Sequence, residues 1–265
     1  MCGICGIRRF DNSLPDERTL AAMNAAIVHR GPDGAGAHLA PGIGLAMRRL
    51  SIVDLETGDQ PIYNEDRSVV IVYNGEIYNH ADVRAQLEAA GHVYRSRSDT
   101  ETIVHAYEQY GVDAVTRLRG MFAFAVWDAN TETLLLARDR LGEKPLYYAE
   151  LPGELIFASE IKALLKHPRL SPEVDEAALD LYLTLGYVPA PRTMFKGIRK
   201  LSPGCRLIAR GQSVCVEPYW DVTIESPTTR PNEREATAEL RRLVTQAVEE
   251  RLMSDVPLGA YLSGG

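Results

Sequence analysis

The sequence predicts an α+β protein built in layers, and three observations carry that reading. Short β-type runs crowd the middle of the chain, with helical stretches interspersed and no regular strand–helix alternation. Apolar residues in the first helical stretch recur at one-face spacing, so that helix must lie on a neighbour. A change of composition near residue 222 then marks the start of a second unit.

Taken in order, Leu20, Met23, Ile27 and Val28 give residues 16–29 the period of an amphipathic helix, with Asp16 after Pro15 as its cap. His29-Arg-Gly-Pro-Asp-Gly34 can continue neither helix nor strand, so a loop must follow. Strands are expected over 44–47, 51–53, 69–73, 122–127, 133–137, 146–149 and 155–158, and helices over 81–90, 100–110 and 175–185. Ser226-Pro-Thr-Thr-Arg-Pro-Asn232 reads as linker. From Glu233 to Met253 a long helix is expected, with Leu240, Leu243, Val244, Val248 and Leu252 on its apolar side. Val256–Leu262 then reads as the first strand of a parallel sheet, which would leave Leu258–Leu262 exposed without its neighbours. The expected division is one domain over 2–222, a linker over 223–232 and the beginning of a second domain over 233–265.

At 265 residues the chain can bury a substantial core without metal or disulfide staples. With 45% hydrophobic and 25% charged residues it lacks the profile of a disordered chain. Lys and Arg total 29 against 36 Asp and Glu, and the net charge of −7 argues against nucleic acid or an anionic membrane as partner. No apolar run approaches the roughly 20 residues that span a bilayer, and the first residues lack a signal peptide's apolar core. A cytoplasmic protein is expected.

Four cysteines raise a metal question. Cys2-Gly-Ile-Cys5 fits a Cys-x-x-Cys pattern that Cys205 and Cys215 could complete, so a metal-binding module is one reading. The later two are ten residues apart, however, which does not suit a second close pair. No metal is expected, and Cys5, Cys205 and Cys215 read as small hydrophobes in a reducing compartment. Cys2 differs by position, since removal of Met1 would give it both a thiol and the free α-amine. That amine, titrating at about 7.7–8.0, can take the proton of a thiol at about 8.5 with no histidine partner.

Two local patterns have structural readings of their own. Asn74-Gly75, following the β-type run Val69–Tyr73, reads in isolation as a tight hairpin turn. Ser98-Asp-Thr-Glu101 reads as a capping box, with Asp99 in the favourable first turn of the next helix.

Met1-Cys-Gly-Ile-Cys-Gly-Ile, His29-Arg-Gly-Pro-Asp-Gly34, Arg49-Leu-Ser-Ile-Val-Asp54, Tyr73-Asn-Gly-Glu-Ile-Tyr-Asn-His80, Ser98-Asp-Thr-Glu101 and Gly120-Met-Phe-Ala-Phe-Ala125 stand in this order. Arg138-Asp-Arg-Leu-Gly-Glu-Lys-Pro-Leu-Tyr147, Ala158-Ser-Glu-Ile-Lys162, Leu252-Met-Ser-Asp-Val-Pro257 and Ser263-Gly-Gly265 continue the series. Over nearly its whole length the chain thus resembles the glutamine-hydrolysing asparagine synthetases, which are class II glutamine amidotransferases. Pro32-Asp33 is similar to the asparagine synthetase branch in particular.

The resemblance implies an N-terminal-nucleophile αββα four-layer sandwich, followed by the start of an α/β ATP-pyrophosphatase-type synthetase domain. It implies Cys2 as nucleophile, with the Asn74 side-chain amide and the Gly75 N–H as oxyanion hole. Glutamine would be held by Arg49 on its α-carboxylate, Asp99 on its α-ammonium, and the backbone of Leu50, Ser51, Ile52, Val53, Asn74, Gly75 and Glu76. His29 and Arg30 would belong to a loop that closes the pocket, while His80 and His105 stay surface or packing residues. Leu262, Ser263, Gly264 and Gly265 resemble the opening of a nucleotide-binding loop. No cofactor is implied for the glutaminase half. The full-length enzyme would add ATP, Mg2+ and aspartate, through a β-aspartyl-AMP, and the resemblance admits a homodimer. Tyr187-Val-Pro-Ala-Pro191 and Gly142-Glu-Lys-Pro145 resemble versions found in paralogues that amidate other carboxylates, in polysaccharide or secondary-metabolite pathways, and that alternative stays open.

Overall fold

The computed structural model describes residues 1–224 and 232–260. In chain order its first half contains β1 (Gly3–Arg9), α1 (Glu17–Ala25), β2 (Gly34–Ala40), β3 (Ile43–Arg49), β4 (Ile62–Tyr63), β5 (Val69–Ile77), α2 (His80–Ala89), α3 (Asp99–Tyr110), α4 (Ala114–Arg117) and β6 (Gly120–Asp128). There follow β7 (Thr133–Arg138), β8 (Tyr147–Leu151), β9 (Glu154–Ala158), α5 (Ile161–Leu164), α6 (Glu176–Leu185), β10 (Arg199–Lys200), β11 (Cys205–Arg210), β12 (Ser213–Pro218) and α7 (Glu233–Glu249). The strands form two antiparallel sheets, ordered β10-β8-β9-β1-β3-β2 and β12-β11-β7-β6-β5-β4.

Side-chain alternation along these strands creates four layers. Ile4, Leu45, Met47, Leu155 and Phe157 of one sheet meet Val70, Val72, Ala125 and Trp127 of the other in a core between the sheets. The opposite residues of the same strands face outward. Cys5, Ile7, Ala46 and Ile156 pack with Leu20, Met23 and Ile27 from α1 and the turn after it, whereas Ile71, Tyr73, Phe122 and Phe124 pack with Val83, Leu87, Ile103 and Val104 of α2 and α3. The expected αββα sandwich is therefore present.

Several local expectations change. Asn74-Gly75 is no turn, because β5 runs on to Ile77 with Asn74 opposite Ala123 and Gly75 opposite Phe122. Glycine is required there by close approach, since a Cβ would lie 2.2 Å from the Met121 carbonyl oxygen. Ser98 does cap α3 through the Thr100 N–H, but the box is not reciprocal. Glu101 turns instead to the Arg95 and Ser96 amides, at 2.8 and 2.7 Å. Residues 51–53 form an irregular loop, not a strand, because their backbone is held by side chains from elsewhere.

α7 begins with a capping box of Asn232 and Glu235 and ends at Glu249, short of Met253. Leu240, Leu243, Val244 and Val248 on it are exposed. Residues 256–260 form no strand and Leu258 is exposed, while Tyr261 lies outside the described residues. Most of the linker motif, residues 225–231, lies outside the described residues, and so do Leu262, Ser263, Gly264 and Gly265.

Candidate active site

Cys2 stands directly before β1, and that strand end is fixed from two sides. Ile4 exchanges hydrogen bonds with Ser159, donating to Oγ at 3.0 Å and accepting from its N–H at 2.8 Å. Arg30 Nε donates to the Cys2 carbonyl at 2.9 Å, while its Nη1 reaches Glu160 at 3.0 Å. His29 joins the same carboxylate at 2.9 Å. The segment expected to be a closing loop is thus a pinned turn. Gly31 lets it pass the β3 backbone, where a Cβ would lie 2.3 Å from the Arg48 carbonyl carbon.

The Cys2 sulfur rests on Leu50. The Leu50 N–H donates to Sγ at 3.4 Å and its carbonyl accepts from Sγ at 3.6 Å. Burial pushes the thiol pKa up, against the opposing pull of that N–H. A thiol raised in this way stays protonated near neutrality, so it needs a base before it can act as nucleophile.

One cavity collects Cys2, Arg49, Leu50, Ile52, Val53, Asn74, Gly75, Glu76 and Asp99. Ser51 is the member of the expected set that does not line it, its N–H being bound to Asp33 at 2.9 Å. The Asn74 amide nitrogen is buried and has no acceptor among the described residues. Phe122, opposite Gly75, turns its N–H and C=O toward Asp139, at 3.2 and 2.8 Å. The Gly75–Phe122 pair is therefore a non-hydrogen-bonded one, and the Gly75 N–H points away from β6.

Asp99 is almost fully buried, and its Oδ2 accepts from the Tyr73 hydroxyl and the Ile77 N–H, each at 2.8 Å. Burial raises its pKa, and those two donors restrain the rise. The Arg49 fork is not open, as the resemblance would have it. Nη1 meets the exposed carboxylate of Asp59 at 2.6 Å, and Nη2 donates to the carbonyls of Val53 and Asp54.

The residue-by-residue reading missed Tyr73, Gln60, Gly58, Ser98, Thr100 and Lys144 in the wall of this cavity. For Lys144 a signal existed in the Arg138–Tyr147 motif. Asp139 gathers the N–H groups of Leu141, Glu143 and Lys144 at 3.1, 2.9 and 2.9 Å and so sets the loop that delivers the lysine. Lys144 Nζ lies 3.1 Å from Met1 Sδ, and burial lowers its pKa.

The cysteines are dispersed. Cys5 is buried against α1, while Cys205 and Cys215 lie in β11 and β12 of the other sheet. Among the described residues the one group with metal-ligand spacing is Glu65, His92 and His105, which contains no cysteine and lies outside the cavity wall. His105 was expected to be a surface or packing residue; it is buried, with Glu108 at 2.8 Å.

The sequence profile described as "Glutamine amidotransferase domain" matches residues 1–220, which carry this cavity. The chain belongs to that family. Residues 239–265 match a second profile, "Asparagine synthase". Among curated relatives of this amidotransferase are asparagine synthetases [glutamine-hydrolyzing] 1 and 3 of Bacillus subtilis, 37% and 39% identical across the whole chain. The chain spans only 42% and 44% of their lengths. Amidase chyE of Penicillium rubens is 40% identical over 89% of the chain and 35% of its own length. Among solved structures, the glutamine phosphoribosylpyrophosphate amidotransferase of B. subtilis superposes with a TM-score of 0.60 at 19% identity, covering 83% of this chain and 49% of that one. At that identity the likeness speaks for the fold alone. No helix among the described residues is long and apolar enough to cross a membrane.

Proposed function

We propose that this cavity hydrolyses the side-chain amide of glutamine with Cys2 as nucleophile, and that the ammonia released amidates aspartate. The observation that carries the reading is the buried, acceptor-less amide of Asn74 in the same cavity as the Cys2 sulfur. A buried donor without a partner is costly in a resting protein and useful where a negative oxygen is to form.

With Met1 removed, the Cys2 α-amine takes the thiol proton, either directly or through a water, and the thiolate attacks the glutamine side-chain carbonyl. The C–S bond forms as the C=O electrons move to oxygen, where the Asn74 amide and the Gly75 N–H stabilise them. Collapse of this intermediate breaks the C–N bond, and the protonated amine returns its proton to the departing ammonia. Water then hydrolyses the γ-glutamyl thioester, giving glutamate and the free thiol. Asp99 pairs with the substrate ammonium, and Arg49 receives its carboxylate in place of Asp59. An acid and a base at the two ends of the site select a free amino acid.

The match of residues 239–265 and the names of the Bacillus relatives support aspartate as acceptor, while ATP and Mg2+ for its activation follow from the resemblance alone. A second reading, in which the acceptor is another carboxylate, is supported by the resemblance of Tyr187–Pro191 and Gly142–Pro145 to paralogues of that kind. Glutamate release, compared between the wild type and Cys2→Ala, tests the first half-reaction. Equal rates, or Met1 found by mass spectrometry on active protein, would remove Cys2 from the nucleophile's role. Asparagine formed from labelled aspartate in the full-length protein tests the acceptor.

A further inference from the structure

The motif Leu252-Met-Ser-Asp-Val-Pro257 has no part in this chemistry, yet it lies against the cavity wall. Asp255 makes two hydrogen bonds to the loop after β3. Its N–H donates to the Ile52 carbonyl at 3.0 Å, and its Oδ2 accepts the Asp54 N–H at 2.7 Å. Ile52 and Val53 line the cavity, and Arg49 donates to the carbonyls of Val53 and Asp54. The three-residue stretch that Arg49 grips is therefore gripped a second time, by a residue some two hundred positions later in the chain.

Asp54 adopts φ 52°, a left-handed conformation that Asp tolerates better than most residues. Its own carboxylate is committed to Thr57 and to the Arg97 N–H. The Asp255 contact is also not isolated. Arg119 meets Glu250 at 3.0 Å, and Arg251 meets Glu143 at 3.5 Å and stands over the Tyr78 ring.

We propose that Asp255 is a positioning residue for the glutamine cavity, holding the Ile52–Asp54 backbone in the shape from which Arg49 receives the substrate carboxylate. The proposal rests on reading the cavity as the glutamine site. It has a consequence for regulation: whatever shifts the segment after α7 changes glutamine affinity, and glutamine binding acts back on that segment to the same extent.

The test compares Asp255→Ala, which removes the acceptor, with Asp255→Asn, which keeps one. Glutamate release is followed against glutamine concentration, and amide hydrogen exchange is followed at Asp54. Asp255→Ala is expected to raise KM about five- to tenfold with kcat within about twofold, while Asp255→Asn stays close to wild type in both. Exchange at the Asp54 amide should quicken in Asp255→Ala alone. An unchanged KM in Asp255→Ala, or equal impairment in the two variants, overturns the proposal. A wild type that releases no glutamate overturns the glutaminase reading instead; unchanged Asp54 exchange in Asp255→Ala would then overturn the clamp independently.

Discussion

The Tyr73 hydroxyl donates to Asp99 Oδ2 at 2.8 Å, joining the middle of β5 to the first residue of α3 inside the protein. Both residues are nearly inaccessible to water, so this bond helps hold as an anion a carboxylate that burial pushes toward protonation.

Tyr73→Phe should therefore raise the Asp99 pKa further. The carboxylate is the form that pairs with an α-ammonium, and it is lost as pH falls through the raised pKa. KM for glutamine is expected to rise about three- to tenfold near neutral pH with kcat little changed. The increase of KM on the acid side should begin at a higher pH than in wild type. Steady-state kinetics across pH 5–8 check both effects.

In the proposed reaction Asn74→Ala removes one of two donors to the developing oxyanion. A fall in kcat on the order of a hundredfold or more is expected, with a small change in KM. Asn74→Asp should be no better, since a carboxylate there would repel the charge. If either variant keeps wild-type kcat in glutamate release, the oxyanion reading is lost.

Arg30 holds the Cys2 carbonyl with Nε and Glu160 with Nη1. Lysine, a single point charge, cannot reproduce that fork. Both Arg30→Met and Arg30→Lys are expected to lower kcat about tenfold, with little effect on KM, because Cys2, the proposed nucleophile, loses its seat and the substrate does not. Unchanged circular dichroism and melting temperature in both variants separate this from a general loss of folding.

His105 gives a pH signature in stability. Burial lowers its pKa, but Glu101 and Glu108 beside it outweigh burial and raise it overall. Its contribution is then complete below about pH 6.5, the unperturbed value, and is lost as pH rises through the folded-state pKa. Burial would raise the pKa of Glu101, yet His105, Ser96 and the Arg95 amide bring it down from 4.5 to about 2. That contribution is present above about pH 4.5 and is lost as pH falls toward about 2. Melting temperature should decline on both flanks. His105→Gln should flatten the alkaline one while costing about 1–3 kcal/mol at pH 6, as the buried Glu101 carboxylate loses its partner.

Local pattern made much of this legible. The helices over 80–89 and 99–110, strands β3 and β5–β9, and the wall residues Cys2, Arg49, Asn74, Gly75 and Asp99 follow from periodicity and from the ordered motifs, whereas β1, β2, β4, β10, β11 and β12 do not. Asn74-Gly75 shows where local reading fails. As a dipeptide it is a turn signal, but pairing with β6 along the whole of β5 keeps it extended and leaves the Gly75 N–H turned away from β6. The same holds for Glu101, which finds better-placed amides in Arg95 and Ser96 than the one at its own helix cap.

The sequence by itself determined which residue types stand at the proposed site, and the resemblance singled them out: a thiol at position 2, an amide at 74, an acid at 99 and a base at 49. These are properties of residue type and position. The tertiary structure alone decided what each one meets. It gave Arg49 to Asp59 and the loop carbonyls, turned Arg30 from a loop residue into the support of Cys2, brought Lys144 into the cavity and set Asp255 against Ile52 and Asp54. Apart from those of Arg49, such partners lie far apart along the chain. Hydrogen bonds between them depend on how two sheets and their helices pack, and no spacing in the sequence encodes that distance.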